Sequence, residues 1–198
     1  GVVSIGSGLS VQQLRIGSPS TAISLAASTG PLTLGSGGFD LSAATQSLTV
    51  FPPVVLAAPQ TWSLAASRLL NLVGTISDSG AGHALTLSGS GSFVFPSTNT
   101  FTGPLTLAGA TLHLGPSAGG LTGTLGTGDF TLSSGTVRYN RLDAQAPIAG
   151  RFNATAGTIQ VNYAAGSFAL NSTNLPAASV NSFASVSGAS GATFIVDA

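Results

Sequence analysis

The sequence predicts an all-β chain wound as a parallel β-helix, and three observations carry that expectation. Apolar residues recur at every second place in short runs of Leu, Val, Ile, Phe and Thr, bounded by Gly, Ser, Asn and Pro; this is the period of a strand with one buried face. The runs also resemble one another at spacings of 20 to 30 residues, the period of a solenoid. Neither Asn-Gly nor Asp-Gly occurs, so the usual residues of two-residue antiparallel hairpins are missing.

Taken in order, residues 1–17 (GVVSIGSGLSVQQLRIG) are strand-like and carry one charged side chain, Arg15. Five later stretches share the pattern apolar-x-apolar, a small or glycine-containing corner, then apolar-x-apolar: PLTLGSGGFDL (31–41), ALTLSGSGSFVF (84–95), PLTLAGATLHL (104–114), DFTLSSGTVRY (129–139) and RFNATAGTIQV (151–161). Stacking would place their leading residues Leu32, Leu85, Leu105, Phe130 and Phe152 in one inward ladder, with Trp62 heading a degenerate sixth copy. The best helical candidate is TWSLAASRLL (61–70), which also fits strand, gap, strand. The last run, ATFIVDA (192–198), is again strand-like. Dividing the length by the spacing gives roughly eight to ten coils in one domain, 1–198.

Composition narrows the function classes. Hydrophobic residues make up 43% of the 198 residues and charged ones 5%, against about 25% charged in an average globular protein. All acids are Asp and all cations Arg; Lys and Glu are absent, and the net charge is zero. Nucleic-acid binding needs several cations on one face, so no nucleic-acid partner is expected. The lack of Cys excludes disulfides and thiolate metal sites. No apolar run approaches the roughly twenty residues of a membrane-spanning helix, so no membrane span is expected. With no initiator Met and no signal peptide at Gly1, the chain reads as processed or as a segment of something longer.

The stretch GSGSFVFPSTNTFTGPLTLAGATLHLG (89–115) carries an Asn-Thr-aromatic-x-Gly centre and a Gly-x-Leu-x-Leu-Gly-like close. Through Asn99, Thr100, Phe101, Gly103, Gly109, Thr111, Leu112, Leu114 and Gly115 it resembles the autotransporter-associated β-strand repeat of bacterial surface proteins. Residues 37–80 resemble the region that commonly leads into such a repeat, and the two together cover roughly half the chain. The resemblance implies a right-handed parallel β-helix (β-solenoid), secretion, and an extracellular or bacterial cell-surface location. One departure is Gly103-Pro104-Leu105, where the repeat usually has Gly-Gly-Thr.

Large β-helices often act on acidic polysaccharides, which takes clustered carboxylates and a nearby cation. The nearest group here is Asp129, Arg138, Arg141 and Asp143, whose spacing puts the two acids on different sides of one coil. His83 and His113 stand thirty residues apart without a ligand partner at metal spacing, and His113 points outward between Leu112 and Leu114. The glycines at 89–91 precede strands rather than a helix, so a phosphate cradle is not expected. No catalytic, cofactor-binding or metal residue is therefore assigned, and no cofactor. The sequons at Asn153 and Asn171 are expected to serve corner hydrogen bonding. A Thr-x-Thr array able to match ice should recur once per coil; only residues 98–102 and 122–124 show it.

The function expected is that of a secreted structural protein, a self-assembling fibre component without catalysis whose partner is a second copy of itself. Residues 1–17 and 192–198 are the candidate intersubunit or capping strands, since open coil edges pair with other chains unless capped or charged. The alternative, an adhesin or glycan-binding passenger, needs exposed aromatics along one face for surface glycans, and Trp62, Tyr139 and Tyr163 are the residues to watch. A polysaccharide lyase or hydrolase is a third reading, requiring Asp129 and Asp143 within about 10 Å.

Overall fold

The computed structural model describes residues 1–27, 29–115, 122–141 and 148–162, and the backbone alone of strands at 167–171, 185–188 and 193–197. No described residue is helical. Eighteen strands follow in chain order: β1 (Val2–Val3), β2 (Leu9–Arg15), β3 (Ile23–Leu25), β4 (Leu32–Leu41), β5 (Leu48–Val50), β6 (Val54–Leu56), β7 (Gln60–Leu64), β8 (Leu69–Leu72), β9 (Ile76–Ser77), β10 (Leu85–Gly89), β11 (Ser92–Phe95), β12 (Leu105–Leu114), β13 (Phe130–Tyr139), β14 (Phe152–Ala154), β15 (Thr158–Val161), β16 (Ser167–Asn171), β17 (Ser185–Gly188) and β18 (Thr193–Asp197).

Their pairings are parallel, each strand stacking on one from a neighbouring coil. The first side stacks β1, β3, β5, β8, β11, the second half of β12 and of β13, then β15 and β17. The second side stacks the first halves of β2 and β4 with β6 and β9. The third takes the second halves of β2 and β4, then β7, β10, the first halves of β12 and β13, and β14.

On the first side one inward column reads Ile23, Leu48, Leu70, Phe93, Leu112, Val137 and Ile159. From Ile23 to Ile159 the chain makes six circuits, a β-solenoid of about six turns. The eight to ten expected came from dividing all 198 residues by the spacing, which counted the first turn, where β1 has only two residues, and the C-terminal segment, most of which lies outside the described residues.

The repeats of 84–95, 104–114, 129–139 and 151–161 stack as expected: Leu85, Leu105, Phe130 and Phe152 are register partners and fully buried. Two members of the expected ladder stand elsewhere. Leu32 belongs to the second side, between Leu9 and Val54, and the partner of Leu85 in the coil below is Gln60, with Trp62 beside Leu87. The apolar-corner-apolar pattern marks a corner, and the 31–41 copy wraps a different corner of the coil from the other four. The helical candidate 61–70 is strand, gap, strand, because Trp62, Leu64 and Leu70 alternate inward.

Gln60 brings a polar group into the core and is fully used there. It accepts from Trp62 Nε1 at 2.7 Å and donates to the carbonyls of Leu34 and Ala58, both at 3.2 Å. Trp62 in turn stands edge-on to Phe39 (4.9 Å, 78°) and Phe95 (6.4 Å, 77°), so one ring ties the interior of three coils together. At the corners between the third and first sides, Gly89, Gly109, Gly135 and Gly157 form a column with φ between 94° and 110°. A Cβ on Gly135 would lie 2.2 Å from the carbonyl oxygen of Ala110. Backbone from successive coils packs too closely there for any side chain.

Two substitutions test this packing by chemical denaturation. Leu107→Ala, at a position with no exposure, is expected to cost about 2–5 kcal/mol. Gly135→Ala adds no cavity but is expected to cost about 1–3 kcal/mol through the forced left-handed backbone and the carbonyl contact.

Candidate functional site

Polar chemistry in this chain collects at corners and on the outer faces, because the inward positions are taken by the ladders. The corner between the first and second sides is held by Asn99, which is buried. Its Oδ1 accepts from Ile76 N of the coil below at 2.8 Å, and its Nδ2 donates to the Thr124 carbonyl of the coil above at 2.8 Å. Its own N–H donates to Thr124 Oγ1 at 2.9 Å. Phe101, two residues on, points inward with no exposure. A turn anchored at Asn99 and an inward Phe101 are both legible in the motif.

Asp78 does similar work one coil earlier. Its carboxylate accepts from the backbone N–H groups of Gly80 (3.0 Å), His83 (3.1 Å) and Gly103 (3.2 Å), and from Thr102 Oγ1 at 3.0 Å. Burial alone pushes this carboxyl up, but the bonds from Thr102, Gly80 and His83 outweigh it and hold the pKa below the ordinary value. With its oxygens so occupied, Asp78 is a structural staple. His83 takes part here through its backbone.

The acid–base group considered for catalysis does not assemble among the described residues. Asp129 accepts from Arg151 N at 2.8 Å and pairs with the Arg151 guanidinium at 2.9 Å, which lowers its pKa. Both side chains are largely exposed, so the pair contributes little to stability. Arg141 is buried and donates to the Gly123 carbonyl at 3.2 Å. Arg138 is exposed on β13. Asp143 lies outside the described residues, as does Tyr163. Among the described residues no three His, Asp, Glu or Cys side chains converge as a metal site, and no helix is long and apolar enough to cross a membrane.

His113 stands on the outer first side, in a column with Val94 and Arg138. Asn140 Nδ2 lies 3.2 Å from His113 Nδ1, and Asn162 Nδ2 donates to Asn140 Oδ1 at 2.5 Å. Asn140 and Asn162 thus stack at a corner, but neither is one of the sequon asparagines for which corner bonding was expected. Asn153 is not part of it: it sits on strand β14 at an exposed outward position, and the side chain of Asn171 is outside the description. Partial burial, then the nearby Arg138 charge, lowers the His113 pKa below 6.5. Beside it, Leu69, Val73, Val94 and Pro96 bound a shallow groove of about 400 Å³. The groove holds one titratable group and no carboxylate.

Trp62 and Tyr139 are fully buried in the core, and Phe51 is the exposed aromatic among the described residues. Of the threonines singled out for an ice-matching array, Thr102, Thr122 and Thr124 are bonded at corners instead. Thr102 serves Asp78, Thr122 Oγ1 donates to the Pro96 carbonyl, and Thr124 serves Asn99. No protein-family model, curated protein or solved structure matches the chain.

Because the folded-state pKa of His113 is depressed, its contribution to stability is present above about pH 6.5 and declines as pH falls below it. His113→Gln is expected to flatten the stability profile between about pH 5 and 6.5, measured by urea unfolding. Asp78→Ala leaves three backbone donors, the buried Gly103 N–H among them, without their acceptor and is expected to cost about 1–3 kcal/mol at pH 7. That penalty should shrink below about pH 4, where the carboxylate of the parent chain is itself lost to protonation.

Proposed function

We infer that the chain is a structural segment of a secreted bacterial surface or extracellular fibre, without a catalytic site, that assembles with copies of itself end to end. The observation that carries this reading is the exposed end of the inward ladders. Leu9 begins the column Leu9, Leu32, Val54, Ile76, and Val3 pairs with Leu25 beneath the column Val50, Leu72. Leu9 is 40% exposed and Val3 48%, while the residues stacked above them are buried. Among the described residues no strand pairs with the outer edge of β1 and β2, an edge that a further parallel strand could join.

The charge pattern supports the same reading. The first coil holds one ionised side chain, Arg15, and it is paired with Asp40 at 3.4 Å, so little repulsion opposes a second copy. The resemblance of residues 89–115 to the autotransporter-associated repeat supports secretion and a surface location. Residues 192–198 contain β18, and its neighbour β17 ends the first side; these strands are the counterpart edge in a head-to-tail contact.

Sedimentation and negative-stain electron microscopy of the full chain test the proposal. Concentration-dependent linear assemblies are expected, and Val3→Lys with Leu9→Lys, which place charge at the ladder ends, should shift assembly to at least about tenfold higher concentration. Discrete monomers at every concentration, or unchanged assembly in the double variant, would overturn it.

A further inference from the structure

The first side ends at a corner where polar side chains from three successive coils meet. His113 is on β12, Asn140 follows β13 and Asn162 follows β15. The backbone there is held independently of these side chains, since Asn140 N donates to the Leu114 carbonyl at 2.8 Å and Asn162 N to the Tyr139 carbonyl at 3.0 Å. The side-chain amides can therefore turn without moving the coil.

The direction of the side-chain bonds sets the state of the imidazole. Asn162 Nδ2 donates to Asn140 Oδ1 at 2.5 Å, which leaves the Asn140 Nδ2 toward His113 Nδ1 at 3.2 Å. An amide NH2 group donates and does not accept, so Nδ1 carries a lone pair and the ring is the neutral Nε2–H tautomer. Asn140 is only 2% exposed, so both ends of its amide need partners within the protein. Asn162 is half-buried, and water can complete its bonding. Arg138, beside the ring on β13, is the charged group that bears on it. Val94 on β11 and the groove residues Leu69, Asn71, Ser92 and Pro96 are uncharged, so the groove offers no carboxylate to an imidazolium.

We propose that His113, Asn140 and Asn162 form a proton-responsive relay, in which protonation of His113 reverses the Asn140 amide and, through it, that of Asn162. A proton from water adds to Nδ1 while Nε2 keeps its own, and the new Nδ1–H needs an acceptor. Asn140 supplies one by turning its oxygen to the ring, a bond strengthened by the charge of the imidazolium. Its NH2 group then faces the NH2 group of Asn162. Two donors cannot bond, so Asn162 turns its oxygen inward and its NH2 group to water. The polarity of the ladder is inverted across three coils with the backbone in place. All three residues belong to one chain, so the relay does not depend on end-to-end assembly.

NMR of the isotope-labelled full chain, titrated from about pH 7.5 to about pH 5, tests the proposal. At the upper end His113 is expected to show a protonated Nε2 and a bare Nδ1. As the pH falls, the side-chain amide resonances of Asn140 and Asn162 should shift with the midpoint of the His113 ring, while the backbone amides of both residues stay protected from hydrogen exchange. Asn140→Ala should leave His113 titrating and abolish the response of Asn162, and His113→Gln should abolish it at both asparagines. The titration of the parent chain decides alone if Asn140→Ala does not fold. An Nδ1–H ring at neutral pH, a ring that fails to titrate in the folded chain, an Asn162 amide that stays still while His113 titrates, or an Asn162 response that survives Asn140→Ala would overturn the proposal.

Discussion

Register between parallel strands of successive coils is the constraint on which the rest of this molecule depends. Once Leu85, Leu105, Phe130 and Phe152 are partners, the residue after each must point outward and the residue two on must point inward. Columns, not individual contacts, are then the units of the core. A single short strand could not bury its apolar side chains; the neighbours above and below supply what a second layer supplies in a sandwich.

The same register dictates how polar groups are satisfied. A coil must turn corners, and each corner would leave backbone N–H and C=O groups unpaired inside a stack. Asn99, Asp78 and Gln60 answer this with short side chains that bond to the coil above, the coil below, or both. Glycine answers it where backbones approach too closely for a side chain, in the column Gly89 to Gly157. Asp78 is the one ionised side chain of these three, in a chain with 5% charged residues.

A further consequence is the character of the outer faces. Among the described residues Arg15–Asp40 and Asp129–Arg151 are ion pairs, and the outer faces otherwise offer mainly hydroxyls, methyls and amides in rows. The exposed ladder ends lie along the solenoid axis, and the column Thr61, Thr86, Thr106 and Thr131 lies on its flank.

How far the sequence reaches can be judged from particular residues. The period of two, the repeated corners and the motif around Asn99 are local, and each residue in them carries its own preference for strand, turn or close approach; the all-β solenoid, the inward Phe101 and the outward His113 follow from them. What stayed hidden is which corner a given copy wraps. Leu32 and Leu85 sit in the same local pattern yet belong to different sides, and the threonine row appears only when Thr61, Thr86, Thr106 and Thr131, spaced at 25, 20 and 25 residues, are brought into register. The sequence by itself determined that this chain coils and that its faces are neutral, because alternation and composition are properties of single strands. The tertiary structure decided which residues stand side by side, because unequal corner lengths between coils set the register, and no local preference measures them.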